Sequence, residues 1–433
     1  MKGAPVRIGL LGCGTVGQGV VRMVAEQGAT IERASGHRLQ LGPILVRDLS
    51  KERPGVDPEL LTTDAADVLD DPDVSVVIEV MGGLEPTFDY LRRALAAGKA
   101  VVTANKQLLS RHGPELLEAA ERAGTELRFE ASACAAIPVI KVLRESLLVA
   151  EIGAITGIVN GTTNFILSEM RRSGLSYDDA LALAQERGYA EADPTEDVGG
   201  ADAAAKMAIL ASIAFHARVL LDDVPFEGID RLQGEDIDLA WELGFVVKLL
   251  GVARLVDGAV SVRVHPALVP SDHPLAAVSG SDNAVLLESS TAGEIMLVGP
   301  GAGGTETASA VIADVLSILG TQRGSFLHNA LADAGRPFAS ADRIDSAFYV
   351  RLHVADQPGV LARVAAIFGE HQVSIRTVVQ KGEGEQARLV LVLHRGPEVN
   401  VHQAIDRIRK LADVRGEPVV LRALGSGQGA NGR

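Results

Sequence analysis

Short apolar runs alternate with amphipathic stretches through the first third of the chain. Residues 6–11, 39–46, 74–80, 100–102 and 126–129 read as strands, with helices between them, as from after Gly17 to about 27 and at about 86–97. Strands this uniformly apolar, each followed by a helix, predict a parallel sheet covered on both faces. From about residue 138 the pattern changes. Short strands at 152–159, 260–269 and 283–287 mix with helices, which predicts a second, α+β domain on a mixed or antiparallel sheet. A helix at about 305–320 is expected to pack back on the first domain. Residues 321–345 read as a loop-rich linker. Strands at 347–354, 373–380, 387–394 and 418–423 then alternate with helices to about 370 and at 401–411. That order, βαββαβ, is a ferredoxin-like unit spanning 346–424. The Gly-rich residues 425–433 read as a disordered tail.

One predicted helix departs from the amphipathic pattern. Residues 201–215 hold seven alanines and no Pro or Gly, and are apolar on nearly every side, which marks a buried helix. It nevertheless carries Asp202 and Lys206, four residues apart and so on one face. On a surface helix such a pair would contribute only about 0.2–0.5 kcal/mol. In a buried helix a charged pair often costs more in desolvation than it returns, and a desolvated lysine has its pKa moved in a way that suits proton transfer. The functional reading is favoured. An acidic loop precedes the helix, with Glu191, Asp193, Glu196 and Asp197 broken by Pro194, Gly199 and Gly200, and is expected to be non-helical.

Composition narrows the classes. At 433 residues the chain has room for about three domains. A net charge of −15 argues against nucleic acid or an anionic membrane as partner. No apolar run approaches the roughly 20 residues of a membrane span. The strand at Val6 leaves no room for a secretory signal, and Cys13 and Cys134 form neither a disulfide framework nor a zinc pattern. A cytoplasmic protein is expected.

The remaining chemistry sits at strand ends. Gly12, Gly14 and Gly17, with Thr15 and Val16 among them, form GxGxxG between the first strand and the helix that follows, the arrangement that cradles a dinucleotide pyrophosphate. After the second strand, Arg47 suits the 2′-phosphate of NADP and Asp48 the ribose of NAD, so NADP is modestly favoured. Thr103 and Lys106, in Thr103-Ala-Asn-Lys106, lie beyond a strand's carboxyl end, where cofactor or substrate would meet them. Asn160-Gly-Thr-Thr-Asn164 joins a strand to a helix, with Thr162 or Thr163 a natural cap. A second glycine-rich loop, with Gly301 and Gly303, precedes another helix. Trp241 is expected in the core.

Taken together these stretches resemble homoserine dehydrogenase along essentially the whole chain. The most specific is Ala184-x-x-x-Gly188-Tyr-Ala-x-x-Asp193-Pro-x-x-Asp197-Val-x-Gly200-x-Asp202-x-x-x-Lys206, with GxGxxG, TANK, NGTTN and GPGAGG in support. The resemblance implies an N-terminal Rossmann domain (1–137), a catalytic and dimerisation domain (138–320) and a C-terminal ACT domain. No fused aspartate kinase is expected ahead of the first strand. It implies NAD(P)-dependent interconversion of L-homoserine and L-aspartate 4-semialdehyde, a step toward threonine, methionine and isoleucine. Lys206 would be the general acid/base, Asp202 its positioner or a substrate ligand, and Lys106 a second lysine near nicotinamide. Glu191 would bind the substrate ammonium, with Thr163 and Gly188 also at the substrate. A monovalent cation such as sodium would sit on main-chain carbonyls of Glu130, Ala133, Ala135 and Ile137. An amino-acid effector, by pathway position threonine, would bind beside Asp356, Gln357, Gly359 and Val360. A homodimer or homotetramer is expected. Alternatives are another semialdehyde or hydroxy-acid dehydrogenase, and a non-catalytic ACT sensor.

Overall fold

A computed structural model describes residues 5–320, 344–384 and 387–424. Nearly all of the expected linker, and the whole expected tail, lie outside them. The chain divides into two compact units, residues 1–332 and 333–433.

The first unit opens with a six-stranded parallel sheet. Its strands are β1 (Val6–Leu11), β2 (Leu39–Leu45), β3 (Leu61–Thr62), β4 (Val74–Glu79), β5 (Ala100–Thr103) and β6 (Leu127–Arg128). Their order is β3-β2-β1-β4-β5-β6. The order reverses between β1 and β4, the crevice where doubly wound folds bind nucleotides. Strands β1 and β4 are almost wholly buried, which is why they read as unbroken apolar runs.

Five strands build the second sheet: β7 (Ile152–Ile158), β8 (Phe245–Val256), β9 (Ala259–Pro270), β10 (Asp282–Ser289) and β11 (Gly293–Pro300). They lie in the order β11-β10-β7-β8-β9, and every pairing is antiparallel. Of the two expectations, mixed or antiparallel, the second describes it. Helix Ala201–Ala214 packs on this sheet and against helix Lys106–Ala123, so its buried residues join one core with both domains. Helix Gly304–Leu319 returns to the first sheet, where Ala308, Val311, Ile312 and Val315 pack with Val20, Val21 and Val24 of helix Thr15–Ser35.

Two local readings are corrected. The acidic loop contains a single helical turn, Thr195–Val198, bounded by Pro194 and Gly199. Trp241 is 47% exposed, its ring covered by the Arg171 guanidinium at 3.7 Å instead of by core residues. A cation over the face of an indole at an exposed site contributes about 0.5–1 kcal/mol and shields one face of the ring.

The second unit has strands β12 (Asp345–Val354), β13 (Ile375–Lys381), β14 (Arg388–Pro397) and β15 (Val414–Ala423), antiparallel in the order β13-β14-β12-β15. Helices Val360–Glu370 and Glu398–Ile408 bury Val364, Phe368, Ile405 and Ile408 against Phe348, Val350 and Leu391. Among the described residues, no helix is long and apolar enough to cross a membrane.

Candidate active site

Two cavities share Val80, Met81 and Gly82 in their walls, beyond the carboxyl ends of β1 and β4. The first, about 650 Å³, is lined by Gly12, Gly14, Arg47, Asp48, Lys51 and Arg53 among others. Its glycines divide the labour. Gly12 turns with φ +105°, and a Cβ there would stand 2.8 Å from the Met81 backbone. Gly17 packs against the Gly12 carbonyl, while a Cβ on Gly14 would meet nothing within 4 Å. That clearance, beside the N-terminus of helix Thr15–Ser35, is a cradle of the kind a pyrophosphate fills. Arg53 donates to the carbonyls of Cys13, Asp48 and Lys51, tying the loop after β2 to the glycine turn. Arg47 is exposed and has no ion-pair or hydrogen-bond partner among the described residues. Asp48 accepts from the Ser50 N–H and hydroxyl, which with Arg53 and Lys51 nearby holds it below the usual carboxylate range.

The second cavity, about 480 Å³, brings together Val16, Glu79, Lys106, Ala133, Ala135, Glu191, Lys206 and Gly301. Behind its wall one buried carboxylate joins the two lining ammoniums. Asp202 Oδ1 lies 2.7 Å from Lys106 Nζ, and Oδ2 lies 2.8 Å from Lys206 Nζ. Lys206 also donates to the Val159 carbonyl at 2.7 Å. Asn160, capping helix Gly161–Ser173 through its oxygen, donates its amide to Asp202 at 2.8 Å and to Asp197 at 2.7 Å. Burial alone would raise the Asp202 carboxyl, but the two ammoniums outweigh it and hold the group well below its usual range. Burial would likewise lower Lys106, and the Asp202 carboxylate, with Asp197 and Glu196 behind it, overrides this and raises it. Asp197 goes the other way, raised by burial and by Asp202.

Other expected site residues are placed differently. Thr103 is fully buried, and its hydroxyl donates to Glu79 at 2.5 Å and accepts from the Asn105 N–H. It therefore supports the wall and is not among the residues lining the cavity. Thr163 is buried and spends its N–H and hydroxyl on Asn160. Gly188 is an exposed turn. Thr15 packs on Gly304, and Gly303 caps helix Gly304–Leu319. In the loop after β6, Ala135 adopts φ +44°, and the Ile137 carbonyl accepts from the Val139 N–H at 2.8 Å. The carbonyls of Ala133 and Ala135 receive no hydrogen bond among the described residues. No group of acidic, His or Cys side chains there could hold a metal ion, again among the described residues.

Glu79 escaped the reading of the sequence. It ends an apolar strand, accepts from the Met81 and Gly82 N–H groups, and burial raises its carboxyl. A lone carboxylate closing a fully buried strand was its available signal. In the second unit, Asp356 accepts from Gln380 at 3.3 Å and from the Gly384 N–H at 3.1 Å. The Gln357 N–H turns back to the Ala355 carbonyl, and Gly359, at φ +89°, precedes Val360 at the start of the helix.

A Rossmann sheet with a pyrophosphate cradle, opening onto a buried lysine–aspartate–lysine cluster, defines a nicotinamide-dependent oxidoreductase acting on a CH–OH group. Residues 12–130 match the family model described as homoserine dehydrogenase, NAD binding domain. Residues 138–316 match homoserine dehydrogenase, and 348–413 match the ACT domain. The homoserine dehydrogenase of Corynebacterium glutamicum is 44% identical over 426 residues, covering 97% of this chain and 96% of that one. That of Bacillus subtilis is 40% identical over 428 residues, covering 98% and 99%. A solved homoserine dehydrogenase from Thiobacillus denitrificans, 40% identical, covers 97% and 98% with a TM-score of 0.71. A hyperthermophilic archaeal homoserine dehydrogenase solved in complex with NADPH is 27% identical and covers 73% and 98%, with a TM-score of 0.62. The chain belongs to the homoserine dehydrogenase family.

Proposed function

We propose that the chain interconverts L-homoserine and L-aspartate 4-semialdehyde with NADP as its preferred cofactor, on the route to threonine, methionine and isoleucine in the cytoplasm. The observation that carries this reading is that Lys106 and Lys206, which line the cavity with Gly301 and Val16, are held from behind by the single Asp202 carboxylate. Bound nicotinamide supplies or accepts the hydride. In the direction of reduction the Lys206 ammonium donates a proton to the substrate's carbonyl oxygen as the hydride reaches the terminal carbon. In oxidation the neutral amine takes the hydroxyl proton back. Lys106 orients the same oxygen or the nicotinamide, and Asp202 fixes both amines. Steady-state oxidation of homoserine with each nicotinamide cofactor tests the reading, and no turnover with either would end it.

Glu191, on the rim of this cavity, is assigned to the substrate ammonium. Glu191→Gln should raise the homoserine KM while leaving cofactor KM near the parent value; an unchanged homoserine KM would move the ammonium site elsewhere. Arg47 is assigned to the 2′-phosphate, which its free guanidinium in the first cavity supports. Arg47→Ala should weaken NADP binding by about tenfold or more, the worth of roughly one charge-assisted pair, and spare NAD. Equal losses on both cofactors would refute that assignment.

A monovalent cation such as sodium on the carbonyls of Glu130, Ala133, Ala135 and Ile137 belongs to the same proposal, supported by the uncommitted Ala133 and Ala135 carbonyls. The second unit is assigned to feedback control by an amino acid, threonine by pathway position, bound beside Asp356, Gln357, Gly359 and Val360 in a homodimer or homotetramer. Helix N–H groups there could meet a carboxylate. Threonine should inhibit the full chain and not a form ending near residue 340, with a coupling of about 1–3 kcal/mol. Inhibition that survives the truncation, or is absent from the full chain, would leave the unit a dimerisation module.

A further inference from the structure

Asn283 stands where β10 pairs with β11 opposite Gly299, and its side chain is fully buried. Neither amide atom meets a nitrogen or oxygen partner among the described residues. The Cys134 thiol is within reach, but sulfur is a weak partner, so the buried amide recovers little of the hydration it loses. Strand β10 is held on both edges, by β7 and β11, so the backbone that carries Asn283 is fixed in place.

Its neighbours come from the segments that make the site. The amide lies flat against Gly301, where a Cβ would fall 2.0 Å from Nδ2 and 2.4 Å from Oδ1. Gly301 itself lines the second cavity. On another side stands Gly161, whose Cβ would lie 3.5 Å from Oδ1, and which follows the Asn160 that binds Asp202. The buried Cys134 thiol lies within hydrogen-bonding reach of the amide, between the cavity-lining Ala133 and Ala135. An amide whose N–H donors and carbonyl oxygen meet no nitrogen or oxygen partner among the described residues thus sits between the second glycine-rich loop and the lysine–aspartate cluster. The absence of a side chain at 301 is what admits it.

We propose that Asn283 is a positioning residue for the reacting end of the nicotinamide cofactor. It acts through the main chain of Gly301–Gly303, which its amide engages when cofactor seats against that loop. The proposal rests on the dehydrogenase reading above and adds to it a residue that touches neither substrate nor cofactor. A residue there for packing alone would need no amide.

Asn283→Leu keeps the branched shape and removes both polar atoms. NADPH binding, read by the cofactor's own fluorescence, should weaken roughly fivefold, and turnover of homoserine should fall about tenfold or more, as misplacement near an ångström does. The thermal midpoint should stay near or above the parent value, since only a weak contact to the Cys134 thiol is lost. Binding of 2′-phospho-ADP-ribose, which lacks the nicotinamide, should be unchanged. Parental NADPH affinity and turnover in the folded variant would overturn the proposal. So would equal weakening of both ligands together with a lowered midpoint, the mark of a packing role. Should Asn283→Leu fail to fold, Asn283→Ala measured the same way decides. A parent chain that binds NADPH yet never oxidises homoserine would sink the dehydrogenase reading, while the two binding titrations still judge Asn283.

Discussion

Lys206→Ala is expected to keep the fold and nearly all cofactor affinity while losing about 10²–10⁴-fold in turnover, the usual worth of a positioned acid/base. The amine is the one group in the wall that touches both the Asp202 carboxylate and the Val159 carbonyl, so its position is fixed by two acceptors from different elements. Removing it takes one positive charge from beside Asp202 but leaves Lys106 at 2.7 Å to balance that carboxylate. The fold should therefore survive, and the loss should fall on the chemical step. Single-turnover hydride transfer with saturating cofactor measures this directly. A folded variant within a few-fold of the parent rate would remove Lys206 from the proton-transfer role.

Asp202→Asn should have the opposite profile, losing stability along with turnover. The parent carboxylate is 2% exposed and balances two ammoniums. Neutralising it leaves the buried Lys206 and the part-exposed Lys106 facing each other, and because solvent screens Lys106 the loss should fall below the roughly 3–5 kcal/mol of a fully buried pair. The Asp202 carboxyl titrates below its ordinary 3.8 and Lys106 above its ordinary 10.5. The acid's contribution is therefore present above about pH 4 and lost on acidification. The base's contribution is present below about pH 10 and lost on alkalinisation. Between those limits the stability difference between parent and Asp202→Asn should be flat with pH. Lys106→Ala in the Asp202→Asn background should recover part of the loss, because it removes one of the orphaned cations. Urea denaturation at several pH values tests all three statements; an additive double mutant would mean that the cations do not share the carboxylate.

What could be read from the sequence was local. Asp202 and Lys206 announce themselves because four residues on a helix put both on one face, and alanine on every other side makes the pair conspicuous. The glycine cradle was legible for the same reason, since its three positions and the strand and helix around them are contiguous. Lys106 against Asp202 was not, because the chain runs through two domains between them and only packing of helix Ala201–Ala214 on Lys106–Ala123 closes the distance. Thr103 shows the converse. Its place at a strand end suggested a ligand, but Glu79 on the neighbouring strand, invisible to a one-dimensional reading, claims its hydroxyl. Strand β8 was passed over because a long apolar run reads alike as buried helix or strand. Trp241 misled through composition alone, since a lone tryptophan suggests core until an arginine from another helix is seen to cover it.

The return of helix Gly304–Leu319 to helix Thr15–Ser35 has a consequence for how the protein is made. Val20, Val21 and Val24 emerge from the ribosome some 290 residues before Val311 and Val315, which finish their cover. Until then the nucleotide-binding sheet carries an open apolar stripe on one face. The catalytic domain must therefore be synthesised, though not yet folded, before the cofactor domain can close. Loss of that helix, far along the chain from the glycine cradle, would uncover Val20, Val21 and Val24 again.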